Sequence, residues 1–316
     1  MPCWDLAMKI ASPPLFLGFS ALTERLPPLG PQTRAACLAL GAVLLWATWP
    51  ALATVASPAP PFLIFGLASA VGFVVSLGLS AIQGQSASFL STPPRTLAVV
   101  TIGLLTNNIL YLLAMRRIGP AEANVISYLW PVLLVAIMAR LRKERLGQIR
   151  MLGIATAFVG AVFAIGPAFD RGFDGGGILL AFFSGLSFAV YAAIRSYGRE
   201  MRDVIGPSMG LLAMLALGFH AIFEPSASLT STQWLAIAGI GVAPLTLSNA
   251  LWDRAVRTGY MAMISGIAYL TPLASLVLLA LLGIGTVSVG VVAGAVLVVA
   301  GALAASGFLP SRKGRG

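Results

Sequence analysis

The sequence predicts an all-α polytopic membrane protein, and three observations support that fold class. The mean hydropathy is +0.93, and only 9% of the 316 residues are charged. Apolar runs of about 20 residues, the length that a ~30 Å hydrocarbon core requires, recur from residue 35 onward. The net charge of +10 is carried by short segments between these runs. The composition therefore excludes a soluble domain and predicts repeated membrane crossings.

The two ends of the chain depart from this pattern. Five prolines through Pro28 are followed by Pro31, and the apolar patch from Leu15 to Leu22 is too short to span a bilayer. We expect residues 1–34 to form a disordered extension whose removal leaves function intact. Residues 309–316 are expected to form a basic cytoplasmic tail.

Ten spans of roughly 20 residues are predicted between these ends. Most are separated by proline and glycine turn signals, such as Pro93-Pro94 and Gly119-Pro120, which are unfavourable inside a helix. The first half, 35–166, contains spans 35–56, 60–82, 95–117, 121–141 and 148–166. The second half, 175–308, contains spans 175–197, 205–223, 231–253, 260–283 and 285–308.

The distribution of lysine and arginine predicts the orientation of the spans. Ten spans place both termini on one side, and that side receives seventeen basic residues, whereas the other side receives three. Cytoplasmic loops are enriched in lysine and arginine, so both termini are predicted to be cytoplasmic. The three exceptions are Arg116, Arg117 and Arg171. The pair Arg116-Arg117 is the main violation of the rule.

An internal repeat explains part of this violation. At a spacing of 141 residues, segment 107–131 aligns without a gap on segment 248–272. Because the repeat unit holds five helices, the second copy enters the membrane from the opposite side, as in transporters built from inverted repeats. The matched positions are Asn108 with Asn249, Tyr111 with Trp252, Arg116 with Arg257, Tyr128 with Tyr269, Pro131 with Pro272, Gly153 with Gly294, and Gly160 with Gly301.

The chain resembles the drug/metabolite transporter superfamily and, within it, the EamA-type branch. The resemblance covers residues 35–308 and rests on the 5+5 arrangement together with "LLWATWPALA", "RRIGPAEANVISYLWPV" and the basic loop "RKERLGQ". It departs from the family at "LLGIGTVS", which lacks the usual Gly-Glu pair. The resemblance implies two inverted repeats around a central substrate cavity and export of amino acids across the bacterial inner membrane.

Polar and aromatic side chains within the spans are the candidate substrate-binding residues. Polar groups in the hydrocarbon layer are costly, so we expect them to face a cavity or one another. Three further polar residues, Asn124, Ser248 and Ser265, lie in the spans that contain the candidates. The candidate set is Trp46, Trp49, Asn107, Asn108, Tyr111, Ser127, Tyr128, Trp130, Asn249, Trp252 and Tyr269.

Two prolines sharpen this hypothesis. Pro131 and Pro272 are predicted to kink their helices and to leave the carbonyls of Ser127 and Ala268 without helical donors. Freed carbonyls, amides and tyrosine hydroxyls supply partners for an ammonium and a carboxylate, and tryptophans supply flat apolar walls. The predicted substrate is a zwitterionic amino acid with an aromatic or medium-sized apolar side chain.

Each feature also has a purely structural explanation. Trp46 is equally well explained as an interfacial anchor, and Asn249 as a residue that joins helices. The prolines then shape the bundle, and His220 is a packing residue. The basic stretch from Arg140 to Arg150 is first a topology signal and second a contact for anionic lipid.

Neither a cofactor nor a metal is predicted, because Cys3 and Cys37 match no zinc-binding spacing. The expected partners are an amino-acid substrate and membrane lipid, without nucleic acid. The chain is expected to be a monomer or a homodimer, because the small residues from Gly290 through Gly301 allow close packing.

The predicted transport mode is facilitated export without obligate proton coupling. Titratable groups near the spans are few, namely Glu122, Asp253 and His220. A proton-coupled exporter of lipophilic cations is the alternative, disfavoured by the absence of a membrane-buried carboxylate. An intramembrane enzyme is less favoured, because H-E-x-x-H and G-x-S-x-G motifs are lacking. Arg117 is expected to be a surface anchor or part of an outer gate with Glu122.

Overall fold

The fold is helical throughout the part of the chain that this computed structural model describes. The predicted tail 309–316, Arg171 and nearly all of the predicted extension 1–34 lie outside it, as do the side chains of Asp253, Arg257 and Ser265. The described residues are 30–82, 91–170, 174–197, 204–258, 261–285 and 287–306.

The helices follow one another with short connections, and a π-helical turn, Ala243–Leu247, joins α10 to α11. The first helix begins at Pro31, four residues before the predicted span, because proline suits the first turn of a helix. The helices are α1 Pro31–Ala47, α2 Trp49–Ala56, α3 Pro61–Ile82, α4 Pro94–Ile118, α5 Pro120–Ser127, α6 Trp130–Arg142, α7 Gln148–Asp170, α8 Gly175–Tyr197, α9 Ile205–Phe223, α10 Ser231–Val242, α11 Ser248–Thr258, α12 Met261–Ala268, α13 Thr271–Leu281 and α14 Val289–Ala305.

Length and composition divide the apolar helices into two groups. Seven stretches of the described chain are long and apolar enough to cross a bilayer, and they begin at Pro31, Pro61, Pro94, Pro120, Gly175, Ile205 and Ser231. The shorter apolar helices are Gln148–Ala164, Gly266–Leu281 and Val289–Ala305, which fall in predicted spans five, nine and ten. The chain is thus a multi-pass helical membrane protein.

Three of the helical stretches are broken just before a proline. The breaks fall at Thr48, at Tyr128 and Leu129, and at Tyr269 and Leu270, and each following helix has proline as its second residue. Proline lacks the N–H that would continue the helical hydrogen bonds. These three interruptions divide α1 from α2, α5 from α6, and α12 from α13.

Two of the breaks have the same hydrogen bonds at positions that the sequence repeat aligns. Leu129 N–H donates to the Ile126 carbonyl at 3.1 Å, and Leu270 N–H donates to the Ile267 carbonyl at 3.0 Å. The side-chain amide of Asn108 donates to the carbonyl four residues earlier at 2.8 Å, and that of Asn249 does so at 2.7 Å. The repeated sequence therefore has a repeated local structure.

Glycines bring the backbones of α7 and α14 into close contact. A Cβ atom at Gly160 would lie 2.6 Å from the carbonyl oxygen of Gly294, and one at Gly153 would lie 2.6 Å from that of Gly301. These two contacts require α7 and α14 to be antiparallel. The sequence repeat aligns Gly153 with Gly294 and Gly160 with Gly301, so it relates one contact to the other. Two small residues expected to permit contact between copies, Gly294 and Gly301, thus pack within the chain.

Contacts between connections define two ends of the bundle. At one, the Arg116 end, Arg116 donates to the Ala59 carbonyl, and Arg117 pairs with Asp174. At the other, the Arg142 end, Arg142 and Arg150 share a groove with Ser306. Since basic residues concentrate at the cytoplasmic side of membrane proteins, the Arg142 end is expected to face the cytoplasm.

Candidate substrate site

A row of aromatic rings joins the first span to both halves of the chain. The rings of Trp49 and Tyr111 have centroids 6.1 Å apart, and those of Trp46 and Trp252 are 5.2 Å apart. Trp46 and Trp49 flank the break at Thr48, and Tyr111 and Trp252 are repeat partners. The first span therefore brings four of the predicted site residues together.

Buried side-chain atoms without a hydrogen-bond partner among the described residues include the hydroxyls of Ser69, Ser80 and Thr101. Two more belong to the predicted site spans: the hydroxyl of Tyr111, in this row, and the side-chain amide nitrogen of Asn124, on α5. Tyr111 is 5% exposed and Asn124 is 3% exposed. Because leaving a buried polar group unpaired costs about 1–3 kcal/mol, both groups favour a polar ligand. Sequence analysis placed Asn124 in this span but outside the candidate set.

Tyr128 connects this region to the second half. Its hydroxyl lies near Thr271, the first residue of α13, and near the Tyr111 hydroxyl. Asn124 and Tyr128 are four residues apart and share one face of α5. Tyr269 differs from its repeat partner Tyr128, because its hydroxyl lies near Ser306 at the Arg142 end.

Asn107 joins two helices. Its side-chain amide donates to the backbone carbonyl of Ser184 at 2.9 Å and to the hydroxyl at 3.1 Å, and the Ser184 hydroxyl donates to the Asn107 carbonyl at 2.9 Å. These bonds form an α4–α8 clasp. Asn107 and Tyr111 share a helix face, as predicted, but the two side chains have different partners.

Several other candidates also have partners within the protein. The amides of Asn108 and Asn249 donate within their own helices, as described above. The hydroxyl of Ser127 donates to the Ala181 carbonyl at 3.1 Å, and the rings of Trp130 and Phe188 meet edge to face at 4.9 Å. These contacts hold the α5–α6 break against α8.

The carbonyls expected to be freed by the prolines are covered in this structure. The Ala268 carbonyl accepts a hydrogen bond from the Thr271 hydroxyl at 2.7 Å. The Ser127 carbonyl lies against α8, where a Cβ atom at Gly185 would be 2.5 Å from it. Acceptors for a substrate ammonium in this conformation therefore come from side chains.

The described helices contain a buried carboxylate, which corrects the sequence-based argument against one. Glu122 is 2% exposed and lies in the first turn of α5. A helix N-terminus stabilises a negative charge, and here the helix begins directly after Gly119. The burial arises from tertiary packing of α5, which the position of Glu122 near a span end did not reveal.

Charged residues at the Arg116 end form two separate groups. His220 Nδ1 lies 2.9 Å from Glu224 Oε2, and the Glu224 carboxylate accepts from the backbone N–H groups of Phe62 and Leu63 at 3.0 and 3.2 Å. Glu224 thus caps α3, and His220 contacts the same carboxylate.

The second charged group gives Arg117 a partner that sequence analysis did not find. Arg117 pairs with Asp174 at 3.7 Å, whereas an outer gate with Glu122 was one of the two roles expected. Asp174 also accepts from Gly177 N–H at 3.0 Å and so caps α8. In the described residues, no group of three His, Cys, Asp or Glu side chains is arranged to hold a metal ion.

Comparison with known proteins gives this geometry a family. Residues 33–166, which include the first predicted repeat, match the EamA-like transporter family. The chain is 30% identical over 281 residues to the aromatic amino acid exporter YddG of Ancylobacter novellus, and the alignment covers 87% of this chain and 98% of that relative. The chain belongs to the EamA-like transporter family. Its resemblance to the EamA-type branch is therefore confirmed.

The EamA-like assignment agrees with the three-dimensional comparison. A crystal structure of a protein that is 28% identical in sequence matches this fold with a TM-score of 0.67, and the match covers 87% of this chain and 97% of that protein. The EamA-like chain is thus a multi-pass membrane protein of a transporter family, and that membership favours transport over catalysis.

Proposed function

We propose that this EamA-like protein exports neutral amino acids with aromatic or medium-sized apolar side chains across the bacterial inner membrane. The observation that carries the proposal is the pair of buried, unpartnered polar groups, the Tyr111 hydroxyl in the aromatic row and the Asn124 amide on α5. The Ancylobacter novellus relative is an aromatic amino acid exporter, which supports the same substrate class for this chain.

The two polar groups suit a substrate that is zwitterionic. Both can donate hydrogen bonds to a carboxylate, and the Tyr111 hydroxyl oxygen and the Asn124 side-chain carbonyl can accept from an ammonium. The faces of Trp46 and Trp49 provide apolar contact and cation–π attraction. A site made of such groups binds a molecule without net charge and requires no fixed counter-ion.

Alternating access by two inverted halves is the proposed mechanism. The repeated break geometry of α5–α6 and α12–α13 supports it. The α7–α14 crossing supports it too, because the repeat maps the Gly160–Gly294 contact onto the Gly153–Gly301 contact. The proposed arrangement has ten crossings with both termini in the cytoplasm. Each break permits the two helix segments to reorient separately as access changes sides.

Transport is proposed to run down the substrate gradient without obligate proton coupling. The candidate polar groups Tyr111, Asn124 and Tyr128 are neutral. The second candidate function, proton-coupled export of lipophilic cations, is favoured by one specific observation, the burial of Glu122. A buried carboxylate is the group for which a proton and an organic cation would compete.

Transport in proteoliposomes distinguishes the two functions. We expect labelled phenylalanine and tryptophan to exchange across the membrane without a pH gradient, in the wild type and in Glu122→Gln. The exposed carboxylate variant Glu144→Gln is the matched control. Transport of tetraphenylphosphonium that requires a pH gradient and is lost in Glu122→Gln alone would favour the second function and contradict the first.

A further inference from the structure

A groove at the Arg142 end combines an apolar floor with a cationic rim. It is an open groove with a volume of about 150 Å³ between α6, the start of α7 and the end of α14. Leu134, Val135 and Met138 form the floor along one face of α6, which follows from their helical spacing. Arg142 and Arg150 lie at the rim.

The C-terminal cap of α6 positions the rim. Lys143 adopts the left-handed conformation at φ 55°, and Glu144 N–H donates to the Ala139 carbonyl at 2.9 Å, which ends the helix in a tight turn. The chain then returns toward α7. Arg142 at the end of one helix and Arg150 in the first turn of the next therefore face the same groove.

The groove has an excess of positive charge. Glu144 also lines it, but its carboxylate lies 4.0 Å from the Arg142 guanidinium, at the outer limit of an ion pair, and both side chains are more than half exposed. Among the described residues, no carboxylate lies within 4.0 Å of the Arg150 guanidinium. The single carboxylate of Glu144 therefore does not balance the two positive charges of Arg142 and Arg150.

We propose that this groove binds an anionic glycerophospholipid. The phosphodiester accepts hydrogen bonds from Arg142 and Arg150, because guanidinium groups match phosphate oxygens in geometry and charge. One acyl chain lies along Leu134, Val135 and Met138. Basic pockets between membrane helices at the cytoplasmic side suit such headgroups, and the charge complementarity selects a lipid of the anionic class over a zwitterionic one.

Native mass spectrometry of the purified full-length protein tests the site with dioleoyl phosphatidylglycerol as the probe. We expect Arg142→Ala/Arg150→Ala to weaken retention roughly 20-fold, since each basic residue contributes about fivefold near a membrane surface. The matched control, Arg140→Ala/Arg145→Ala, removes two exposed charges from the end of α6 and the following turn, outside the groove. It is expected to retain the lipid as the wild type does.

Three comparisons make the outcome decisive. Dioleoyl phosphatidylethanolamine is expected to bind more weakly than the anionic lipid, and glycerol 3-phosphate, which has the phosphate without the chains, is expected not to bind. Glu144→Gln is expected to strengthen retention, because it removes the competing carboxylate. Equal losses in the two double variants, equal binding of the two lipids, or binding of glycerol 3-phosphate alone would overturn the proposal.

Discussion

The two halves of the molecule share a backbone geometry but differ in chemistry. The helix breaks at Leu129 and Leu270 have matching hydrogen bonds, and Asn108 and Asn249 make the same contact within their helices. The polar residues of α5, however, have less polar counterparts. Glu122, Asn124 and Ser127 align with Met263, Ser265 and Ala268.

The same contrast holds for the helix interfaces. The α4–α8 interface contains the Asn107–Ser184 clasp, whereas the related α1–α11 interface has Gly41 against Leu251, with a Cβ at Gly41 only 3.2 Å from the leucine side chain. Tyr111, with its unpartnered hydroxyl, corresponds to Trp252. The repeat therefore preserves backbone contacts, and we propose that ligand recognition is concentrated in the first half.

The glycine crossing is where the halves are expected to be equivalent, and it gives the largest predicted effect. Gly160→Leu and Gly301→Leu should each destabilise the protein by about 3 kcal/mol or more, because a side chain at either position meets backbone of the facing helix. The yield of monodisperse protein and its thermal unfolding measure the loss. Gly218→Leu is the control, since a Cβ there meets nothing within 4 Å. Sensitivity at only one of the two related glycines would break the equivalence.

The aromatic row is where the halves are expected to differ most in function. Tyr111→Phe should weaken substrate affinity about tenfold, because a hydrogen bond to a charged group contributes about 1.5–3 kcal/mol. The stability of the protein should not fall, since the hydroxyl has no partner among the described residues. Transport KM in proteoliposomes measures the effect, and Tyr191→Phe, the same change away from the row, is the control. A stability loss without a KM change would assign the hydroxyl to packing.

The α4–α8 clasp offers a smaller and more specific comparison. A double-mutant cycle with Asn107→Ala and Ser184→Ala should give a coupling free energy of about 0.6–1.7 kcal/mol, the range of polar contacts between membrane helices. Denaturant unfolding in detergent micelles measures the coupling. The equivalent cycle across α1–α11, with Gly41→Ala and Leu251→Ala, should show no polar coupling. Strict additivity at Asn107 and Ser184 would contradict the clasp.

The smallest effect is predicted at the Arg116 end. Arg117→Gln should cost only about 0.2–1 kcal/mol, because the ion pair with Asp174 is partly exposed and screened by salt. Asp174→Ala should cost more, since it also removes the cap at Gly177. Thermal unfolding at low and high ionic strength separates the two contributions. An effect of Arg117→Gln that is large and independent of salt would require a buried role for Arg117.

Much of the fold could be predicted from sequence because its signals are local. The lengths of the apolar runs located the helices, and the residues before Pro131 and Pro272 located the breaks. The order of Asn108, Tyr111 and Tyr128 and their repeat partners predicted the repeated local structure. Such features depend on neighbours within a few residues along the chain.

The site was less predictable because its contacts are between distant helices. Nothing in the sequence separates Asn107 from Tyr111 as candidate ligands, yet of the two only Asn107 hydrogen-bonds Ser184. The burial of Glu122, the Arg117–Asp174 pair and the unpartnered amide of Asn124 all depend on which helices pack together. The spacing of Asn124 from Tyr128, four residues on one helix face, was the one signal that could have added it to the candidate set.

The inverted arrangement of the halves is the central claim, and cysteine accessibility in intact cells tests it most directly. Cys3 and Cys37 are replaced by serine, and single cysteines are introduced at Arg145, Ser226, Leu282 and Lys313. A membrane-impermeant maleimide should label positions 226 and 282 from outside, and positions 145 and 313 only after permeabilisation. Labelling of 145 and 226 from the same side, or of 282 and 313 from the same side, would contradict the inverted ten-helix arrangement.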